Sequence, residues 1–324
     1  MKQLSKDAWL NVIRIVGAAI LATLFATALH LEFAVAAGIV AILTIQPTKR
    51  ETFATATGRF LAFVCALVIA YAGFSVFGYS LKGFFIYLVL FIIICQRFRW
   101  YSAMAMNSVL ISHFLTFGEM TVVTVGNEVL IFVIGVGMGI VANLSLRKKS
   151  AYAEALIAET DAQIVKILER MSLRIMDKDV SDYNGECFRV LEDMIYCSEK
   201  VAQENYNNQL DNTDVFDMDY IAMRRQQAQV LYEMYKKVRR MKEVPMTAER
   251  ISDFLKNMSV VFHKNNDGQQ LLEELEEMKN YMELQQMPVN REEFEDRARL
   301  FALMESMEEF LQIKASFAKE RMIR

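Results

Sequence analysis

Apolar residues gather into six long runs, and all six precede Arg147-Lys148-Lys149. The runs are roughly 10–29, 33–45, 60–79, 84–95, 100–117 and 129–146. A bilayer crossing takes about 20 mostly apolar residues in a helix, so each run predicts a membrane-spanning helix. The second and fourth are short by that standard. The second reaches length only by borrowing 28–31 and Gln46, the fourth by borrowing 80–83 and 96–98. From Ser150 onward the period changes to the i, i+3, i+4, i+7 pattern of amphipathic helices with one wet face. Ile157, Ile164, Leu168, Met171 and Ile175 stripe the first of these. Tyr220, Met223, Val230, Leu231, Met234 and Val238 stripe another, as do Ile251, Phe254, Leu255, Met258 and Phe262. Leu271, Leu272, Leu275, Met278 and Met282 stripe the next, and a last helix is expected from about Arg291 to Ile323. The breaks fall at 177–185, Tyr206-Asn207-Asn208, Pro245, Asn265-Asn266-Asp267-Gly268 and Pro288. The predicted fold is all-α: a six-helix transmembrane domain over 1–149, then an antiparallel helical bundle over 150–324.

Charge sharpens that division. Residues 1–149 carry a formal +7 and residues 150–324 a formal −10, within a whole-chain charge of −3. Lys2 and Lys6 precede the first run, Lys49, Arg50 and Arg59 follow the second, Arg97 and Arg99 follow the fourth, and Arg147-Lys148-Lys149 follow the sixth. The stretches after the first and fifth runs carry His30, Glu32, Glu119 and Glu128 but no Lys or Arg, and Lys82 alone follows the third. Basic residues mark cytoplasmic loops. The alternation therefore predicts six membrane crossings, with both termini and the acidic bundle in the cytoplasm. Trp9, Trp100 and Tyr101 sit where interfacial aromatics are expected. No small-residue cleavage site follows the first run, which reads as a retained span.

Composition excludes several classes. The four cysteines, Cys65, Cys95, Cys187 and Cys197, make no C-x-x-C pair, so neither a disulfide framework nor a zinc site is expected. No P-loop, dinucleotide fingerprint, H-E-x-x-H or nucleophile elbow occurs. The chain therefore reads as a non-enzyme without cofactor, metal or nucleic-acid partner. Any energised step would draw on an ion gradient or the membrane potential.

Polar residues inside apolar runs are the candidate chemistry. Pro47 cannot continue a helix, and Thr48-x-x-Glu51 matches a capping box, so Gln46-Pro47-Thr48-Lys49-Arg50-Glu51 predicts a helix start leading into the third run. Backbone N–H groups, helix dipole and the cations Lys49 and Arg50 would converge there on an anion; the plain alternative is a turn whose basic residues only set topology. Arg14 lies about 7 Å into the first span at helical rise. It either snorkels to headgroups or faces the bundle interior, with Asn11 one turn before to hold it. In the fifth run Ser108, Ser112 and Thr116 recur every four residues beside Asn107 and His113. That stripe serves either interhelical hydrogen bonds or a pathway, and His113 either packs or carries a proton. Glu128 is expected to cap or pair at the outer start of the sixth span. Gly17, Ala18, Ala22 and Ala26, and Gly135, Gly137 and Gly139, are small-residue packing faces. Met223-Arg224-Arg225-Gln226 reads as a solvated helix face, or as cations offered to a partner or headgroups.

Several of these segments resemble one family, the bacterial aromatic acid exporters. They are Ile45-Gln46-Pro47-Thr48-Lys49, Ser108-Val109-Leu110-Ile111-Ser112-His113, and Gly126-Asn127-Glu128 leading to Ile134-Gly135-Val136-Gly137 with Asn143. Met223-Arg224-Arg225-Gln226 followed by Val230-Leu231 is similar to that family's C-terminal helical domain. The resemblance covers nearly the entire chain. It implies a layout shared with fusaric acid resistance proteins and plant malate-activated anion channels, handling of organic anions, and homodimers. The expected function is export of small organic carboxylates, aromatic ones among them. The expected substrate-binding residues are Arg14, Gln46, Thr48, Lys49, Arg50, Arg59, Asn107, Ser108, Ser112 and His113. A passive anion channel fits the same residues. A membrane-anchored sensor or scaffold is the reading of a different class.

Overall fold

A computed structural model describes residues 2–146, 149–176, 184–209, 214–241, 248–264 and 266–323, with side chains from Ala8 to Arg321. The expectations placed on Arg147-Lys148, on 177–183, on Pro245 and on Asn265 lie outside the described residues. The chain divides into two compact units, 1–148 with 207–212, and 149–206 with 213–324.

The first unit is built from α1 (Lys2–Ala28), α2 (Val35–Thr44), α3 (Lys49–Phe77), α4 (Leu81–Arg97), α5 (Met104–Phe117) and α6 (Val122–Leu144), with a 3-10 turn at Tyr101–Ala103. Each predicted run thus becomes a helix, but among the described residues only three stretches, Ala8–Ala28, Lys49–Phe77 and Val122–Leu144, are long and apolar enough to cross a membrane. Helix α2 has 10 residues, about 15 Å at helical rise against a hydrocarbon core of about 30 Å. The residues it needed to borrow are the end of α1 and a turn in which His30 and Phe33 take positive φ (55° and 57°). Two helices start earlier than their apolar runs suggest. Helix α3 begins at Lys49 because Thr48 caps it, and α6 begins at Val122 because Thr121 and Thr124 form a capping box. Arg59 and Glu128, read from sequence as flanking residues, are consequently inside helices.

Small residues set the packing around α2. Ala22 and Ala26 of α1 are buried in the cluster that α2 shares with α6. On α6 a Cβ at Gly135 would lie 2.5 Å from the Val40 Cβ and 2.6 Å from the Ala37 carbonyl oxygen, and one at Gly139 would lie 2.7 Å from the Thr44 Cβ. These contacts are backbone-close, so glycine is required there. Gly17 and Gly137 meet nothing within 4 Å; the expected small faces are therefore carried by Ala18, Ala22 and Ala26 and by Gly135 and Gly139. Phe63 of α3 stacks on Phe132 of α6 at 4.6 Å. Outward, α1, α3 and α4 display Leu10, Ile13, Leu24, Phe60, Val68, Phe85 and Ile93, a surface suited to lipid rather than water.

The second unit contains α7 (Ser150–Met176), α8 (Glu186–Asn207), α9 (Phe216–Arg239), α10 (Ala248–Val260), α11 (Gln269–Glu283) and α12 (Arg291–Ile323). Helix α7 packs on α10 and α9, and α12 packs on α9 and α11. The stripes read from sequence form one core, with Ile164, Leu168, Met171, Tyr220, Leu231, Met234, Ile251 and Leu255 at its centre.

The α2–α6 contact makes a sharp prediction. Gly135→Ala and Gly139→Ala should each lower stability by about 1–3 kcal/mol through overpacking, whereas Gly137→Ala should be neutral or slightly stabilising. Thermal stability of the detergent-solubilised protein, followed by size-exclusion recovery after heating, checks the ranking; equal recovery for all three variants would contradict it.

Candidate functional site

Arg59 lies three turns into α3 and is 3% exposed. Its Nη1 donates to the Thr44 hydroxyl at 3.3 Å, and Thr44 in turn donates to the Val40 carbonyl at 2.7 Å. The Arg59 Nε is buried without a partner. No carboxylate pairs with this guanidinium among the described residues. A charge withdrawn from water is costly unless paired, and a hydroxyl is a weak answer to a whole positive charge. Arg59 is therefore the residue in the first unit with the strongest physical call for an anion. Gly58 beside it packs on the Trp100 ring, with a Cβ position 3.6 Å from the indole.

The Gln46–Glu51 turn next to Thr44 is held from α6. Asn143 Nδ2 donates to the carbonyls of Gln46 (3.0 Å) and Thr48 (3.2 Å) and to the Thr52 hydroxyl. Thr48 accepts from the Glu51 N–H at 3.3 Å, the Thr48 half of the expected capping box. The Lys49 N–H donates to Asn208 Oδ1 at 3.0 Å, Asn208 belonging to the 207–212 segment of the same unit. The helix start is thus largely satisfied from within the protein, which weakens the open-amide reading of this turn and moves the weight to Arg59. Lys49 is half-buried and Arg50 exposed. On α1 the Arg14 guanidinium is half-buried and donates to Asn11, the neighbour its spacing suggested, while its Nε and Nη1 remain buried and unpartnered.

Helix α5 contributes two different environments. Asn107 is fully buried, and neither atom of its amide has a partner. Ser108 is half-buried. Ser112 returns its hydroxyl to its own helix at the Val109 carbonyl (2.6 Å), so the predicted stripe is not a continuous row of free hydroxyls. His113 Nδ1 lies 2.9 Å from Glu128 Oε2, and Glu128 is wholly buried. Asn127 donates to Glu128 Oε1 at 3.1 Å and exchanges two bonds with the Glu32 backbone. Phe33 stacks on the imidazole at 4.1 Å. The pairing across fifteen residues was not legible as such; only the presence of two ionisable groups near apolar runs signalled it.

In the second unit the sequence reading of Met223-Arg224-Arg225-Gln226 as a solvated face fails at Arg224, which is 0% exposed. Its guanidinium pairs with Asp161 on α7 (Nε to Oδ1, 2.8 Å), and the Tyr220 hydroxyl donates to Asp161 Oδ2 at 2.6 Å. Gln227 accepts from Arg224 and donates to the Phe310 carbonyl at 2.8 Å. Arg225, half-exposed, pairs with Glu199 instead. Lys314 on α12, 6% exposed, donates to the Lys264 carbonyl at 2.8 Å.

Burial pushes the Lys314 ammonium down to about 8, with Arg224 adding to the effect, Asp161 opposing it, Lys264 adding to it and Asp267 opposing it. An unfolded chain keeps that proton to about 10.4. Between those values the unfolded state binds more protons, so stability rises with pH through this window and is lost as pH falls through 8. Burial pushes the Tyr220 hydroxyl the other way, above the tyrosine range, with Arg224 opposing. The unfolded state then loses its tyrosine proton first, and stability falls above about pH 10. The unfolding free energy of the second unit, from urea titrations, should therefore climb above pH 8, by on the order of 1–3 kcal/mol, before falling. Lys314→Met should flatten the climb; a flat wild-type profile would refute the assignment.

Comparison with known proteins fits both units. Residues 9–146 match the family described as aromatic acid exporter family member 1, and residues 154–315 match the aromatic acid exporter C-terminal domain. The uncharacterized protein YqjA of Bacillus subtilis (strain 168) is 28% identical over 293 residues, covering 89% of each chain. A crystal structure from Clostridium difficile 630, described only as a membrane protein, is 22% identical, covers 53% of this chain and 99% of its own, and superposes with a TM-score of 0.48. With family matches covering the apolar unit and most of the polar one, the chain belongs to the aromatic acid exporter family.

Proposed function

We propose that the protein exports small organic carboxylates, aromatic ones among them, across the bacterial cytoplasmic membrane. The observation that carries the reading is Arg59: a guanidinium 3% exposed inside a helix of span length, with Thr44 as its side-chain partner and no carboxylate among the described residues. A carboxylate matches a guanidinium in charge and in its two-oxygen geometry. Binding one there would relieve the desolvated charge. Lys49, Arg50 and Arg14 would add positive potential along the approach, and buried Asn107 would offer a further polar contact. In this reading the six helices of the first unit cross with both termini in the cytoplasm, the shorter ones completed by their flanking turns, and the protein works as a homodimer.

The driving force is the membrane potential or an ion gradient. An inside-negative potential favours exit of an anion by about 2.3 kcal/mol per charge per 100 mV. A passive channel would use the same residues and differ only in coupling.

Proteoliposomes loaded with benzoate, given an imposed potential or a pH gradient, test this. Hydrogen bonds to a charged group are worth about 1.5–3 kcal/mol, so Arg59→Gln should lower benzoate flux roughly ten- to a hundredfold, and Lys49→Ala with Arg50→Ala by less. Flux driven by voltage alone would mean uniport or a channel; flux that requires the pH gradient would mean coupled export. Unchanged flux in Arg59→Gln would remove the basis of the site, and no wild-type flux of benzoate or other carboxylates would favour a sensor or scaffold.

A further inference from the structure

Glu128 is wholly buried in α6, and the His113 imidazole on α5, 12% exposed, meets it with Nδ1 at 2.9 Å from Oε2. Both carboxylate oxygens are engaged, Oε2 by the imidazole and Oε1 by the Asn127 amide at 3.1 Å. With the carboxylate ionised Nδ1 is the donor, because a carboxylate only accepts. Nε2 is then the ring's acceptor, and it has no partner among the described residues. Phe33 covers one face of the ring at 4.1 Å, and Phe117 meets Phe33 edge-on at 5.3 Å. The elements around the pair bring few other charges. Helix α2 brings none, the turn before it His30 and Glu32, the α5–α6 turn Glu119, and α4 Lys82; these four are exposed. Helix α4 also brings the buried Tyr87, and α3 the exposed Tyr71 and, beside Thr44 at the far end of α2, Arg59. Arg14 of α1 is about 20 Å along its helix from the turn that follows it.

Such a pair can hold one exchangeable proton. Histidine is the side chain whose charge changes in the physiological range. A proton added at Nε2 turns the pair from a net negative charge into an imidazolium–carboxylate ion pair, with the Nδ1–Oε2 bond kept. Ionisable residues inside spanning helices are costly and serve substrate or proton paths. A histidine that only packs needs no buried carboxylate. The pair is also tied to the anion site. The Asn127 amide that holds Glu128 exchanges two bonds with the Glu32 backbone in the turn before α2. At the other end of α2, Thr44 holds Arg59 and Asn143 holds the Gln46 carbonyl. Glu128 and Asn143 share the buried face of α6. The pair and Arg59 thus adjoin the two ends of one helix of 10 residues, about 15 Å apart along it.

We propose that His113 and Glu128 are the proton site of transport, and that one proton moves in for each carboxylate that moves out. The proposal rests on the export reading and its topology, which puts the pair at the outer end of the first unit and Arg59 at the cytoplasmic end. A proton from outside binds His113 Nε2, with Glu128 as counter-ion of the imidazolium, and a carboxylate from inside binds Arg59. One cycle exchanges a proton outside and a carboxylate inside for a proton inside and a carboxylate outside. The pair then returns to neutral imidazole and carboxylate, and no covalent bond other than N–H is made or broken. Proton entry and anion exit both follow an inside-negative potential, so potential and pH gradient drive export together. His113 thereby carries the proton and is not the substrate contact expected from sequence.

Proteoliposomes of the full-length protein, loaded with benzoate and the pH dye pyranine, test this at equal pH on both sides, with potassium and valinomycin holding the potential at zero. Exchange must acidify the lumen as benzoate leaves. Leak of undissociated benzoic acid has the opposite sign, because it carries its proton out, and protein-free vesicles give its size. The wild type should take in about one proton per benzoate released, since the imidazole accepts a single proton. Glu128→Gln and His113→Gln should drive that ratio towards zero in whatever flux they keep; Glu128→Asp, which keeps the acid, should retain it. Wild-type efflux without acidification, or with alkalinisation beyond the leak, overturns the proposal and leaves export standing. A wild-type ratio in both glutamine variants overturns it too. Loss of all benzoate flux in both, with an unchanged size-exclusion profile, would make the pair a substrate contact and overturn it as well. Radiolabelled benzoate counterflow needs no net proton movement and reports on export by itself: its absence from the wild type would sink the export reading, and this proposal with it.

Discussion

The first unit is organised around the cost of holding the Arg59 guanidinium out of water. Its hydroxyl partner, Thr44, is the last residue of α2. That helix ends there because Pro47 cannot continue it and because α6 clamps it at backbone distance. The buried positions of α6 include Thr124, Glu128, Ile131, Gly135, Gly139 and Asn143, a repeat of three and four that forms one face. Along that single stripe the helix does three jobs. Near its start Glu128 pairs with His113, in its middle two glycines admit α2, and near its end Asn143 braces the turn that precedes α3. Removing close approach at Gly139 would displace Thr44, and with it the described side-chain hydrogen bond of Arg59.

The second unit answers the same electrostatic problem differently. Asp161 of α7 neutralises Arg224 of α9, with Tyr220 and Gln227 satisfying the remaining lone pairs and N–H groups. Such a network is worth retaining only when complete. Lys314 makes no salt bridge among the described residues, and burial above all pushes its ammonium below the range of a surface lysine.

Apolar runs and their periods carried most of the architecture. Every run became a helix, and the wet-faced stripes of the second half became its core, because burial of one helix face is a local property of sequence. Helix starts were harder. The Thr121–Thr124 box lies outside the apolar run and moved α6 upstream, turning Glu128 from a flanking residue into a buried one. Arg59 counts among the basic residues after the second run, although the helix start expected at Thr48, which the structure has, already runs through it. Partnerships across long separations, such as Asp161 with Arg224 or Asn143 with Gln46, depend on tertiary packing, and nothing in local spacing announces them. The family-like segments around Gln46–Lys49 and Gly126–Glu128 fall at the turn before α3 and at the buried Glu128–His113 pair.

The central claim is that Arg59 binds a carboxylate. Trp100 borders Gly58, next in sequence to Arg59, and Trp9 is the other tryptophan of the chain. The most direct measurement is benzoate titration of Trp100 fluorescence in a Trp9→Phe background, with Arg59→Gln as the paired variant. The account predicts a saturable change that Arg59→Gln abolishes or shifts to at least about tenfold higher benzoate, the equivalent of roughly 1.4 kcal/mol. A saturable change of equal midpoint in both proteins would contradict it.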